Sequence, residues 1–332
     1  MRSGVIILFF ILSGLSLYAF TPGMNGDSLL PVRVILNADA GNEAIDTALA
    51  NIETGYTLTG DNKSTFSRLL KIARLRTSIW NKRLRARLFN DLAGVSARLK
   101  LYPLAMKCYD KAEQGLHLPD TVFDQQLDSM LPVCATTASW PVRNKDILSS
   151  FDDGKKAAAY AILVHVKQSA PGKRKAFSGI NNVGHMFITL IKYNTDNSVA
   201  YRSFGFYPRK SSILSATPLH PTAVSTFKDD ARHDWDETAG KFISFRRFRK
   251  IIGALQSYDQ QPYHLNHNNC TDFGLTMAAL GGITIGETRG RWPLGKGNNP
   301  ANAGQSMLEG KLSNRDEEDQ TPLFLAMNLP LK

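Results

Sequence analysis

The sequence predicts an α+β protein, in which a partly basic helical region precedes a domain made of an antiparallel sheet and a cysteine-bearing helix. Three observations predict it. Apolar residues recur at three- and four-residue steps through residues 42–130. After about residue 150 the pattern changes to apolar runs separated by turns, as in "GHMFITLIKY", "NTDN" and "SVAYRSFGFYP". Further on, "YHLNHNNCTDFGLTMAALGG", Tyr263 to Gly282, sets a cysteine at the first turn of a helical pattern that two glycines end.

In chain order, Arg2 precedes an apolar run from Val5 to Leu17, with the small residue Ala19 close behind. This reads as a signal peptide over residues 1–20, with an uncleaved N-terminal anchor as the alternative. The run is shorter than the roughly 20 residues a spanning helix needs. No cysteine follows it that would take a lipoprotein anchor. The expectation is an exported protein, periplasmic or extracellular, with membrane association left open. In an oxidising compartment Cys108 and Cys134 either bond to each other or stay as buried free thiols. Cys270, the third of three cysteines, is then the odd thiol.

Residues 21–150 form the expected helical region. "NEAIDTALANIE" carries Ile45, Ala48, Leu49 and Ile52 on one stripe. A long amphipathic helix is expected from Ser64, its N-cap, through Phe66, Leu69, Leu70, Ala73, Trp80, Leu84 and Leu88. "YPLAMKCYDKAEQG" resembles the second helix of a tetratricopeptide-type repeat, although a single hairpin is too few for a repeat array. The formal net charge of the chain is +11, and residues 61–100 hold eleven Lys/Arg against Asp61 and Asp91, a local net of +9. For an exported chain this favours an anionic envelope surface over nucleic acid as the partner of residues 63–100. A merely solvated basic face is the plainer alternative.

Residues 151–332 form the expected second domain. Strands are read at "KAAAYAILVHVKQ", "GHMFITLIKY", "SVAYRSFGFYP" and "GKFISFRRF", and a helix at "FRKIIGALQSY". Residues 208–238 and the tail from Thr284 read as irregular.

The chemistry is expected at Cys270. A thiol at a helix N-terminus sits by unpaired N–H groups and the positive end of the helix dipole, which favour thiolate. The Cys270 amide, with Asn269 or Asn268, would face an oxyanion formed on attack at sulfur. Asp272 suits the first turn as a cap. Of the seven histidines, His185 is the expected base, because it follows Gly184 at the entry to a strong strand, where imidazole is held rigidly. His117 lies in the helical region, His165 inside an apolar strand, and His220 and His233 in the irregular segment. His264 and His267 are near Cys270 only in sequence. No metal-ligand spacing and no phosphate loop stands out, so no metal or cofactor is expected.

"GHMFITL", "FGFYP" and "YHLNHNNCTDFG", in that order, resemble the circularly permuted branch of the papain-like NlpC-type superfamily, which includes the lecithin:retinol acyltransferase-like proteins. The resemblance covers about residues 155–285. It matches His185 to the strand histidine, Cys270 to the helix-opening cysteine and Phe273 to the aromatic that follows. It implies a permuted papain-like domain and cysteine hydrolase chemistry on an amide, ester or thioester. The substrate would be a peptide, a cell-wall polymer or an acyl group; a non-catalytic interaction protein is the reading from another class. The resemblance also implies a third polar residue on the next strand. If Tyr193 pairs with Ser198, Phe206 falls opposite His185, and a one-residue shift brings Tyr207 there. Tyr207 or Ser203 is then expected to orient the imidazole, unless a residue elsewhere does so.

Overall fold

In the computed structural model the described residues are 41–74, 81–113, 115, 117–118, 139–178, 182–209, 211 and 214–328. The expected leader, Arg76, Trp80 and Cys134 lie outside them. Among the described residues no helix is long and apolar enough to cross a membrane.

The fold is α+β, as expected, around one antiparallel sheet. The helical region contributes α1 (Asn42–Thr59), α2 (Asn62–Ala73), α3 (Lys82–Arg98) and α4 (Tyr102–Ala112). Next come β1 (Trp140–Val142), α5 (Asn144–Ser149), β2 (Ala157–Lys167), β3 (His185–Asn194), β4 (Val199–Arg209), β5 (Thr222–Asp229) and β6 (Glu237–Ile243). Then α6 (Phe245–Tyr258), β7 (Tyr263–His264), α7 (Cys270–Leu280) and β8 (Ile283–Ile285) follow. The chain closes with β9 (Arg289–Trp292), β10 (Gly295–Asn298), α8 (Pro300–Leu308), β11 (Leu312–Asn314) and β12 (Phe324–Met327). The sheet order is β1-β5-β4-β3-β2-β6-β12, with β7 also on β5.

Both faces of the sheet are covered. Leu163, Phe187, Tyr193 and Trp235 share a core with Leu49, Leu88, Tyr102 and Met106 of the helical region. The Tyr193 hydroxyl donates to the Pro103 carbonyl at 2.8 Å. On the other face Ile162, Met186, Ile188 and Phe204 pack with Leu255, Phe273, Met277 and Met307 from α6, α7 and α8. Every residue of β3 is therefore buried, so it reads as an unbroken apolar run rather than an alternating one. The described residues of the helical region and of the sheet belong to one compact unit, joined by the first of these cores.

Several expectations are corrected. The long helix from Ser64 is two helices on either side of residues 75–80. The cap of α2 is Asp61, whose carboxylate accepts from the Lys63 and Ser64 amides. The segment 208–238 contains a full strand, β5, between β1 and β4. The tail is not an irregular wrap: β12 extends the sheet beside β6, and α8 buries Ala301, Ala303 and Met307. In the β3–β4 hairpin Tyr193 pairs with Val199, one residue on from the expected partner. The turn is closed by the Asn194 amide on the Ser198 carbonyl at 2.9 Å, with Asn197 left-handed at φ 71°, a conformation asparagine tolerates. Cys108 is a buried free thiol.

Candidate active site

The site begins where β3 begins. Gly184 has φ 72°, and a Cβ there would lie 2.5 Å from the Lys167 carbonyl, so the turn into β3 requires glycine. It delivers His185 to a buried position, 6% exposed. Imidazole Nε2 lies 3.1 Å from Asp230 Oδ2. Asp230, immediately after β5, is fully buried. Its other oxygen accepts from the Tyr207 hydroxyl at 2.8 Å and the Ser139 hydroxyl at 2.6 Å. Its amide donates to the Ser203 carbonyl at 2.9 Å. Asp230 is thus locked from three sides before it meets the imidazole.

Asp230 reaches His185 across β4 because Gly205 stands between them. A Cβ on Gly205 would sit 2.4 Å from His185 Nε2 and 2.5 Å from Asp230 Oδ2. The glycine of "FGFYP" therefore leaves open the line along which the two groups hydrogen-bond.

Cys270 opens α7. Asn269 caps the helix: its Oδ1 accepts from the Thr271 amide at 2.7 Å and the Asp272 amide at 3.2 Å. Asp272 Oδ2 accepts in return from the Asn269 amide at 3.0 Å, which completes a capping box. Asn298 Nδ2 donates to the second Asp272 oxygen at 2.7 Å. This fixes the first turn and with it the sulfur, which lies within hydrogen-bonding reach of the His185 imidazole. With Nε2 held by Asp230, Nδ1 is the nitrogen left for the thiol.

Burial opposes charge on both partners, yet the contacts outweigh it. The charge of Asp230 and its hydrogen bond, with further help from Cys270, raise the His185 pKa to about 9. The Cys270 thiol is desolvated, but the hydrogen bond and charge of His185, the Met186 backbone and Thr271 pull its pKa below the ordinary thiol value. Each partner stabilises the charged form of the other, so a thiolate–imidazolium pair is favoured over the neutral pair. Such a pair is a nucleophile with its proton donor already in place.

The other expected residues fall as follows. Tyr207 lies against His185, ring centroids 4.2 Å apart, but its hydroxyl serves Asp230, so it steadies the orienting residue rather than the imidazole. Ser203 does not orient His185: its hydroxyl pairs with Thr189 at 2.7 Å, which in turn meets buried His165 at 2.8 Å. Asn269 is not an oxyanion donor: its Nδ2 donates to the Leu265 carbonyl at 2.8 Å and the Asn298 carbonyl at 2.9 Å. His264 and His267 stack on each other at 3.5 Å. His233 packs beside His185 at 5.2 Å; its own pKa is lowered by burial and by the neighbouring positive imidazole.

No family model, curated protein or solved structure matches the chain.

Two residues that sequence reasoning missed complete the site. Asp230 is the first. Tyr263, on β7, is the second: its buried phenol lies against both the Cys270 sulfur and the Cys270 backbone amide, and burial raises its pKa. It therefore stays a neutral phenol beside the sulfur. "YH" seven residues before an N-terminal cysteine gave no periodic signal. The strand it forms has only two residues, Tyr263 and His264, paired with Ala223 and Thr222 of β5, a segment read as irregular. Over the sulfur lies a narrow slot lined mainly by apolar groups, among them Phe177, Val183, Leu265, Trp292 and Pro300, with a volume of about 30 Å³. That is room for about one or two waters.

Proposed function

We propose that the chain is a cysteine-dependent hydrolase of the permuted papain-like type. It would act, after export, on an amide in a peptide or cell-wall polymer. The observation that carries this reading is the line Cys270–His185–Asp230, with the sulfur on a capped helix N-terminus and the imidazole held from behind by a buried carboxylate. Those are the parts that nucleophilic acyl chemistry requires.

The Cys270 thiolate attacks the acyl carbon, and the developing oxyanion is met by the Tyr263 hydroxyl and the Cys270 amide. His185 gives its proton to the departing amine, the C–N bond breaks, and a thioester on Cys270 remains. Neutral His185 then takes a proton from water as it attacks the thioester. The carboxylic acid leaves, and thiolate and imidazolium are restored. Asp230 keeps the imidazole in one orientation throughout and stabilises its charged form. Burial of this carboxylate would be costly without the three side chains that hold it, His185, Tyr207 and Ser139.

The apolar lining of the slot favours a second reading on the same machinery, acyl transfer or ester hydrolysis with an aliphatic acyl group. A nitrophenyl ester and the matching nitroanilide of one short acyl chain separate the two readings. Both should leave an acyl adduct on Cys270 by intact-mass analysis, absent in Cys270→Ala. Turnover of the nitroanilide supports the amidase; turnover of the ester alone supports the second reading. An adduct with neither reagent rejects both. The exposed cations Lys63, Lys71, Lys82 and Arg83 of α2 and α3 support an anionic surface as the place of action, whereas Arg87 is paired with Asp46 and Glu53 and Lys100 is buried beside Asp234.

A further inference from the structure

Next to the thiol slot, with Trp292 belonging to both, is a second and larger cleft. It has a volume of about 610 Å³ and is lined by Asn266, His267, Arg289, Arg291, Trp292, Gly295 and Lys296. No lining residue is acidic. Arg289, Arg291 and Lys296 are exposed, and none has an ion-pair partner among the described residues. Many other surface cations of the chain do: Arg174 pairs with Glu309, Lys311 with Glu287 and Arg143 with Asp146.

The hairpin that carries these cations makes the arrangement costly. β9 and β10 pair antiparallel, and the register sets Lys296 directly opposite Arg291. Arg289 is two residues from Arg291, so all three side chains leave the same face of the hairpin. Like charges directly opposite across a two-stranded ribbon repel and weaken it. Nothing on the hairpin offsets this. An anion held between the three side chains would offset it. Trp292, on the alternate face, is buried and forms a wall of the slot over Cys270.

From this geometry we infer that the Arg289–Arg291–Lys296 face is a binding subsite for an anionic group of the substrate, a carboxylate carried on the part of the substrate that lies outside the slot over Cys270. The inference rests on the thiol chemistry proposed above and adds the substrate class to it: acyl compounds that carry a carboxylate beyond the group that enters the slot. The subsite raises the local concentration of such substrates and fixes which end enters the slot.

The test uses two thiol reagents of equal reach, 6-maleimidohexanoic acid and 6-maleimidohexanamide, which differ by one charge. At low ionic strength and pH 6.5, the acid should label Cys270 about tenfold faster than the amide. In Arg289→Gln/Arg291→Gln/Lys296→Gln the ratio should fall to about one. In wild type the preference should shrink as salt is raised. An equal rate for both reagents in wild type, or a preference that survives in the triple variant, overturns the subsite while leaving the dyad intact. Should neither reagent label Cys270 at pH 6.5, the thiol reading fails, and a thiol-independent arm decides the subsite. In Cys270→Ala, phenylglyoxal modification of Arg289 and Arg291 is mapped by peptide mass. Protection by 6-acetamidohexanoate at millimolar concentration supports a carboxylate subsite. Protection by inorganic phosphate alone, or by neither anion, overturns it.

Discussion

Replacing Gly205 by alanine adds one methyl group and removes no functional atom. That methyl would sit 2.4 Å from His185 Nε2 and 2.5 Å from Asp230 Oδ2. Carbon contacts settle at about 3.5–4 Å, so each group must retreat by about 1 Å. The His185–Asp230 hydrogen bond, 3.1 Å in the native protein, is then lost. Misplacement of about 1 Å in a catalytic group costs roughly 10²-fold in rate, and an inserted methyl in a packed core costs about 1–3 kcal/mol of stability. The assay is the second-order rate of Cys270 alkylation by iodoacetamide, with thermal unfolding alongside. Gly205→Ala should react about ten- to a hundredfold more slowly than wild type at pH 6.5. It should come within about twofold at pH 10, where a thiol ionises without help. Gly253→Ala, in a helix with no atom within 4 Å of the added carbon, is the control: its rate should be unchanged and its stability raised by about 0.5–1 kcal/mol. A folded Gly205→Ala protein that alkylates at the wild-type rate at pH 6.5 would refute the role given to the His185–Asp230 bond.

Other consequences are open to the same kind of measurement. Tyr263→Phe should lower the acylation rate by roughly 10²-fold while leaving alkylation by iodoacetamide, which forms no oxyanion, nearly unchanged. Asn269→Ala removes the cap of α7 and its two carbonyl contacts; chemical denaturation should show a loss of about 0.5–2 kcal/mol, and an unchanged midpoint would contradict the capping role. Because Asp230 holds the His185 pKa up, their pairing adds stability that is complete below about pH 6.5, the unfolded value, and is lost as pH rises through the folded one. Measured in a Cys270→Ala background to remove thiol titration, the stability gap between Asp230 and Asp230→Asn should therefore narrow from pH 6 toward pH 9. A constant or widening gap would count against the pairing.

Much of the site was legible before the structure, and the part that was not has a physical reason. "GHMFITL" announces β3 because a strand covered on both faces is apolar at every position. "NNC" announces a helix start because asparagine caps so well. That same strength misled: a good cap spends its amide on the backbone, so Asn269 had nothing left for an oxyanion. The orienting group was sought on β4, the next strand, where Tyr207 and Ser203 were the polar choices near the expected register. It comes instead from the end of the strand beyond, through the gap left by Gly205. β5 itself gave little signal, since of its eight residues only Phe227 is buried, and its threonines and serine look like loop. α8 was hidden for a related reason: its buried face is built of Ala301, Ala303, Gly304 and Ser306, small residues with weak apolar contrast.

The central claim is that Cys270 is a thiolate paired with an imidazolium on His185. Its most direct measurement is thiolate absorbance near 240 nm, recorded against pH as the difference between wild type and Cys270→Ser and repeated in His185→Ala. The pair predicts thiolate already present well below the free-thiol value of about 8.5, and a return to that value or above it in His185→Ala. A wild-type titration at or above 8.5 that His185→Ala leaves in place would contradict it.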